Sequence, residues 1–272
     1  GAWVHHVFDY PTLRAANVNS TKALLELAVS AKEASPMAFV STISSASVLE
    51  GSVLPEVGPG PEPLSGMGYI LSKYVSERVL AAYLDQGGSA TVLRPGNISA
   101  DTRTGISFPG KNHVMLLIKG SLQMGIGPSA VWGDDRIDIS PVNEVAAATC
   151  ALALDPSSIG GWWHLFNPSR TRWTDIWASL RALGYEVETT DHRTWATKVQ
   201  EVDESNALFP ITTHHTPDQE ADDMVFDSKL TSARLAELGA GFSEIDEAML
   251  VKMFGWLATS GFLPRPTSAA MS

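Results

Sequence analysis

Ala90-Thr91-Val92-Leu93-Arg94-Pro95-Gly96 decides the fold. A short apolar run with almost no polar alternation reads as a strand covered on both faces, and a Pro-Gly pair cannot continue it. Upstream, Gly87-Gly88 stops a helix that runs from about Tyr69 to Asp85. Before that helix, residues 51–66 hold four prolines and four glycines, a loop long enough to be functional. Met37-Ala38-Phe39-Val40-Ser41-Thr42 is another buried-strand run, and Leu13 to Ala34 places Leu13, Ala16, Leu24, Leu27 and Ala28 at helical spacing. Helix, strand, helix, strand with short connections predicts a parallel sheet with crossover helices, the doubly wound α/β class.

After residue 100 the rhythm loosens. Helices are expected over Asn112 to Met124, Asn143 to Leu154, Trp173 to Leu183, His192 to Gln200 and Ile245 to Ala258, with a strand at Trp162 to Phe166. This half reads as a smaller, mixed α/β lobe. The expected division is 1–110 for the sheet domain, 111–266 for the lobe with some return to the sheet core, and 267–272 as a frayed tail.

Composition narrows the function. The 272 residues are 44% apolar and 18% charged, which excludes whole-chain disorder. The net charge of −11, with no basic stripe, argues against a nucleic-acid partner and against an anionic membrane surface. Cys150 is the one cysteine, so an internal disulfide and a cysteine-rich metal site are excluded. No apolar run approaches the ~18 residues of a membrane span, and no basic-then-apolar leader opens the chain. A cytoplasmic, monomeric domain is expected. His214-His215 beside Asp218, Glu220, Asp222 and Asp223 reads as a solvated acidic loop, since no metal-ligand spacing of a known type occurs. Trp132-Gly133-Asp134-Asp135 reads as a turn, with Asp134, Asp135 and Asp138 as acids that could face a partner. Arg103, Lys111 and Lys119 could supply a local basic patch.

The chemistry-bearing pair is Tyr69 and Lys73, four apart near a helix start and therefore on one face. An unperturbed phenol, pKa ~10, is a poor acid at neutral pH. A nearby cation lowers that value, and the tuned phenol can then protonate a carbonyl oxygen as hydride reaches its carbon. Ser41 and Thr42, at the carboxyl end of a parallel strand, are hydroxyls placed where open α/β sheets bind ligands.

The order Phe39-Val40-Ser41-Thr42, Tyr69-x-x-x-Lys73, Arg94-Pro95-Gly96-Asn97-Ile98 resembles the extended short-chain dehydrogenases. Gly1-Ala2-Trp3-Val4-His5-His6-Val7, Asn17-Val18-Asn19-Ser20-Thr21, Leu117-Ile118-Lys119-Gly120, Gln123-Met124-Gly125, Trp163 to Pro168 and Gly261-Phe262-Leu263-Pro264 narrow the likeness. They resemble the terminal thioester reductase domains of nonribosomal peptide and polyketide synthetases, relatives of carboxylic acid and aminoadipate reductases. The resemblance implies a Rossmann-like fold and NADPH as cofactor. It implies Tyr69 as proton donor, Lys73 as its tuner and ribose ligand, and Thr42 on the substrate carbonyl with Ser41 as the weaker candidate. It implies Pro95, Gly96, Asn97 and Ile98 along the nicotinamide, with Asn97 and His6 near the substrate. The implied partner is an acyl or peptidyl carrier protein whose phosphopantetheine thioester is released as an aldehyde, or further as an alcohol.

One departure stands out. No G-x-x-G-x-x-G or G-x-G-x-x-G occurs in strand–helix context, although the family cradles the cofactor pyrophosphate there. The expectation is that the family's first strands precede Gly1, that this chain alone binds NADPH poorly and is inactive, and that its sheet exposes an edge and apolar surface. Three other functions remain open. They are a free-standing reductase or epimerase on a small carbonyl or nucleotide sugar, a non-redox cyclising domain, and a non-catalytic domain that contacts a carrier protein.

Overall fold

Three strands make the sheet that the sequence announces: β1 (Met37–Val40), β2 (Ala90–Pro95) and β3 (Trp162–Leu165). The computed structural model describes residues 2–5, 7–30, 35–46, 53–218 and 225–266. The strands run parallel in the order β1-β2-β3, with Phe39 opposite Val92 and Val92 opposite Trp162. Every residue of β2 is buried, as the central position demands, and this is why its sequence lacks polar alternation. The fold is mixed α/β, as expected. The chain divides into two compact units, Gly1–Gly96 with Glu144–Phe166 and Met224–Gly241, and Asn97–Asn143 with Asn167–Asp223 and Phe242–Ser272.

In the first unit, α1 (Ser20–Ser30) and α2 (Gly68–Asp85) pack on the sheet. Leu25, Phe39, Leu80, Ala90, Val92 and Trp162 form its apolar cluster. The helix predicted from Leu13 arrives in three pieces, Tyr10–Arg14, a π-helical turn over Ala15–Asn19, and α1; its last expected residues, 31–34, lie outside the described residues. The start of α2 is set by a close approach: a Cβ at Gly68 would collide with the Phe8 carbonyl oxygen and the Asp9 backbone. The Pro-rich loop contains a two-residue strand, Val53–Leu54, paired in parallel with Val225–Phe226. Glu56 in the same loop accepts from the Leu230 and Thr231 amides at 2.7 and 3.0 Å, capping the Lys229–Glu237 helix, which sequence periodicity did not reveal. β1 pairs only with β2 among the described residues, and Val40 is 48% exposed, with Leu24 and Leu27 of α1 also in solvent. Among the described residues β1 thus has one unpaired edge, with apolar side chains in solvent beside it.

The second unit is built on α3 (His113–Met124), α4 (Trp173–Ala182), α5 (His192–Val199) and α6 (Glu247–Thr259). Its larger core draws on all four, with Leu117, Trp177, Trp195 and Phe254 among the buried side chains. Each helix begins near its predicted start. Asn112 caps α3 through Met115 N (3.1 Å), Asp191 caps α5 through Thr194 N (2.9 Å), and Asp246 caps α6 through Met249 N (2.8 Å). Among the described residues no helix is long and apolar enough to cross a membrane.

Candidate active site

Ser41 and Thr42 stand where β1 gives way to a turn. Ser41 N still pairs with Leu93 O at 2.6 Å. Thr42 then caps the 3-10 turn Ile43–Ser45, its Oγ1 accepting from Ser44 N at 3.4 Å. The Ser41 hydroxyl is buried and bonded to Ser45 Oγ at 3.0 Å, while Thr42 keeps contact with solvent. Thr42 is therefore the better placed hydroxyl for an incoming ligand.

α2 carries Tyr69 and Lys73 one turn apart, and Lys73 reaches the carboxyl end of β1. Lys73 Nζ donates to Val40 O at 2.7 Å and lies 4.8 Å over the Phe39 ring. Burial lowers the Lys73 ammonium to about 8, with the carboxylate of Glu77 pulling the other way. Burial pushes the Tyr69 phenol up to about 12, the reverse of the lowering expected from a neighbouring cation. The Lys73 charge is already solvated by a strand carbonyl, and the phenol keeps its proton at neutral pH.

One carboxylate that the sequence did not single out ties these segments together. Glu77, one helical turn after Lys73, accepts from Ser45 Oγ at 2.5 Å and from both sides of the Arg94 fork, Nε at 3.1 Å and Nη2 at 2.6 Å. Both side chains are 0% exposed. Arg94 Nη1 reaches Val57 O at 2.9 Å and His164 Nε2 at 3.1 Å. Because His164 Nδ1 faces the Asp227 carbonyl at 2.6 Å, the proton sits on Nδ1 and Nε2 accepts from the guanidinium. Desolvation first, and Arg94 second, hold His164 down to about 4. A charged residue inside β2 is thus hydrogen-bonded through all three of its nitrogens, and it ties the turn of Ser41 and Thr42, the helix of Tyr69 and Lys73, and β2 together.

The π-helical turn contributes the other clamp. Asn17 Oδ1 accepts from Trp3 N at 2.6 Å, and Asn17 Nδ2 donates to Trp3 O at 3.1 Å and Ser72 Oγ at 2.9 Å. The widened turn frees the Asn17 carbonyl, which takes the Thr21 and Ser76 hydroxyls. The two motifs that narrowed the resemblance, around Trp3 and Asn17, are joined by direct bonds next to Lys73. His6 lies outside the described residues; its neighbour His5 stacks on Phe8 at 3.6 Å.

Pro95 closes β2 and Gly96 N bonds Leu165 O at 3.0 Å, both in the first unit. Asn97 and Ile98 open the second unit. Asn97 N donates to Asp138 Oδ2 at 2.6 Å, and Ile98 bridges Ser140. Asp138 does not face outward as an acid for a partner. Its carboxylate also takes Ser140 Oγ at 2.5 Å and Asn167 N at 3.4 Å. Desolvation lifts it to about 6 against the pull of those donors, although the side chain retains some solvent contact.

His214-His215 is not a solvated loop either. His215 is fully buried, its ring stacked on Trp132 at 5.4 Å and edge-on to Trp195 at 4.9 Å. Its Nε2 meets His113 Nε2 at 3.1 Å, and His192 packs 6.3 Å away. Trp132 takes a left-handed φ of 53° to make these contacts and donates its indole N–H to His214 O at 3.2 Å. Glu220, Asp222 and Asp223 lie outside the described residues. Among the described residues no group of three or more His, Cys, Asp or Glu side chains is arranged to hold a metal. Desolvation, then His214 and His192, depress His215 to about 3. A histidine held neutral gives its stability in full above its unfolded pKa of ~6.5, and loses it as pH falls from there toward 3. Asp138, raised to about 6, works in the opposite sense, because its protonation favours the folded state. We expect urea stability to fall below pH 6.5. His215→Leu should flatten that fall by up to about 1.4 kcal/mol per pH unit. Equal slopes in the two proteins would mean that the imidazole is not buried neutral.

Comparisons with known proteins identify the family and the fold. A sequence profile for the NAD-binding family described as "Male sterility protein" matches residues 1–149. A linear gramicidin synthase chain from Brevibacillus parabrevis is 28% identical over 274 residues, covering 97% of this chain and 5% of its own. The L-2-aminoadipate reductase large subunit of Penicillium chrysogenum is 28% identical over 306 residues, covering 99% and 21%. Among solved structures, the terminal R domain from the myxalamid PKS-NRPS pathway superposes with a TM-score of 0.83 at 29% identity, covering 98% of this chain and 68% of that one. A thiolation-reductase di-domain from an archaeal non-ribosomal peptide synthetase has the same fold, with a TM-score of 0.82 at 22% identity, covering 96% and 57%. A UDP-glucose 4-epimerase of Thermotoga maritima shares the Rossmann-like fold more distantly, with a TM-score of 0.59 at 16% identity, covering 92% and 72%. The chain thus spans a small part of the curated relatives it matches.

Proposed function

Because the chain belongs to the NAD-binding family described as "Male sterility protein", we propose that it is the catalytic and substrate-binding part of an NADPH-dependent thioester reductase. In this reading it releases a carrier-protein-bound acyl or peptidyl chain as an aldehyde, in a cytoplasmic setting. The observation that carries the proposal is Lys73 held on Val40 O at the carboxyl end of β1, two residues before Thr42, with Tyr69 one turn earlier on the same helix and the Glu77–Arg94 pair beside it.

The residues present fit the nicotinamide and its ribose. Lys73 offers further N–H donors beyond the one on Val40, and Pro95 and Gly96 supply backbone where β2 ends. Reduced nicotinamide, when bound, supplies the hydride. Thr42 Oγ1 orients the substrate carbonyl. As the carbon is reduced, the developing alkoxide, a stronger base than any phenolate, takes the proton of Tyr69. The hemithioacetal then collapses to the aldehyde, its C–S bond breaks, and the carrier's thiol leaves. Lys73 stabilises the phenolate that Tyr69 becomes, which is where its charge acts.

The pyrophosphate end has no Gly-rich strand-to-helix turn in this sequence. We expect NADPH titration of the 272-residue chain, followed by cofactor fluorescence, to give no saturation below about 1 mM, the upper end of ordinary substrate affinities. An N-terminally extended chain carrying such a turn should bind NADPH and consume it with an acyl thioester. Reduction of a free aldehyde but not of any thioester by the extended chain would replace the proposal with the free-standing reductase. Saturation of the short chain at micromolar NADPH would refute the account of the cofactor site.

A further inference from the structure

Asp138 gathers three donors from three places in the second unit, and one of them belongs to Asn97, two residues past the end of β2. Asn97 N donates to Oδ2 at 2.6 Å, Ser140 Oγ to Oδ1 at 2.5 Å, and Asn167 N to Oδ1 at 3.4 Å. The same segments are already joined without the carboxylate. Ser140 N donates to Asn97 O at 2.9 Å, and Ser99 N donates to Ser140 O at 2.7 Å. Asn167 N also reaches Ser140 Oγ at 2.8 Å, and Asn167 Nδ2 reaches Ser243 O at 2.7 Å. That ladder would suffice for a fold that only had to join the segments, and a desolvated carboxylate is costly. What the carboxylate adds is a charge-assisted hold on the Asn97 amide.

Asn97 is thereby gripped through both its N–H and its C=O. Its carboxamide is half-buried and bonds to none of the described residues. A polar group withdrawn from water in this way calls for a partner. Its place in the chain says which kind, since open α/β sheets take their ligands beyond the carboxyl ends of their strands. The charged group facing Asp138 is Arg170, whose guanidinium already holds Asp134 Oδ2 at 2.5 Å and Arg136 O at 2.7 Å. The groups that touch Asp138 from positions 97, 140 and 167 are uncharged. Burial lifts the acid to about 6, and since burial disfavours the charged form, taking up the proton loosens the hold on Asn97 without costing the fold.

We propose that Asp138 is a positioning residue that acts through Asn97, holding the Asn97 carboxamide in place for the bound acyl substrate. The reaction served rests on the reading under Proposed function; the hold of Asp138 on Asn97 does not.

The test has two arms. The first follows the backbone amides of Asn97 and Asn167 by NMR in the 272-residue chain, with asparagine isotopically labelled and Asn17 of the first unit as control. Both amides are expected to shift together with a midpoint of about 6, and Asp138→Asn to abolish the shift. An Asn97 amide that does not titrate there overturns the proposal. The second arm is kinetic, in an N-terminally extended chain with an acyl-pantetheine thioester. Asp138→Asn and Asn97→Ala should each lower kcat/KM by about 10–100-fold, the scale of a misplaced contact. The double variant should be no slower than the slower single, because both changes remove one contact. The acid limb of the unmodified protein, with its midpoint of about 6, should be missing from Asn97→Ala, which keeps the backbone bond to Asp138 but has no carboxamide to place. Losses that multiply, or a limb that persists in Asn97→Ala, overturn the proposal. If Asp138→Asn does not fold, that limb decides alone. If both amides titrate but no thioester is reduced, the reading under Proposed function fails and the hold on Asn97 stands. If the thioester is reduced and the losses multiply, that reading stands and the role of Asp138 falls.

Discussion

Tyr69→Phe in an N-terminally extended chain is expected to lower the rate of thioester reduction by about 10²–10⁴-fold, the range for removing a positioned general acid. NADPH affinity and the unfolding midpoint should hardly move. The ring is partly buried and remains in place, and only the phenolic O–H is lost. The pH profile adds a second expectation. Lys73 is held down to about 8, so the ammonium that balances the outgoing phenolate is present below that pH and drains above it. Turnover should therefore decline as pH rises through 8, well before a free lysine would titrate. A Tyr69→Phe protein that turns over at the normal rate would end the proposed mechanism. A flat profile up to pH 9.5 would mean that the charge on Lys73 is not needed.

What the sequence disclosed and what it withheld have a common physical origin. β1, β2 and α2 were legible because their signals are local: an apolar run stopped by Pro-Gly, and a helix stopped by Gly87-Gly88. The caps at Asn112, Asp191 and Asp246 are local in the same way. Tyr69 and Lys73 could be found because four residues on one helix fix their relation in advance. Glu77, Asp138 and Asn17 had no such mark. Glu77 matters because Arg94 is 17 positions away and Ser45 is 32 away, and only the parallel sheet brings them together. Asp138 matters through Asn97, at a separation of 41. The error over His214-His215 has the same cause. A histidine pair among acids looks solvated in sequence, yet His113, Trp132 and Trp195, from three distant segments, close over His215. The Lys229–Glu237 helix escaped notice because its amphipathic pattern is weak and its cap, Glu56, comes from another loop.

Glu77→Gln should have the largest effect on stability of any single change at this site. The substitution keeps the shape and removes the charge, leaving the Arg94 guanidinium buried without its counter-ion. Breaking a buried pair from one side costs about 3–5 kcal/mol, because the remaining charge has been stripped of water and nothing replaces it. His164 cannot compensate, since its Nε2 already accepts from Arg94 and its Nδ1 is bound to Asp227 O. Arg94→Met should cost a similar amount by stranding Glu77. The double variant Glu77→Leu, Arg94→Met should be far less destabilised than the sum of the singles, because two apolar side chains of similar volume leave no charge behind. Urea unfolding of the unmodified protein, Glu77→Leu, Arg94→Met and the double variant closes the cycle, with Glu77→Gln measured beside them. Singles that each cost under about 1 kcal/mol would mean that water reaches the pair. A second consequence separates position from bulk stability. Glu77 raises the Lys73 pKa, so in Glu77→Gln the decline of turnover with pH should begin below 8. A purely structural loss would lower the rate at every pH without moving that limb. If the limb stays where it was, Glu77 holds the segments together but does not tune the lysine.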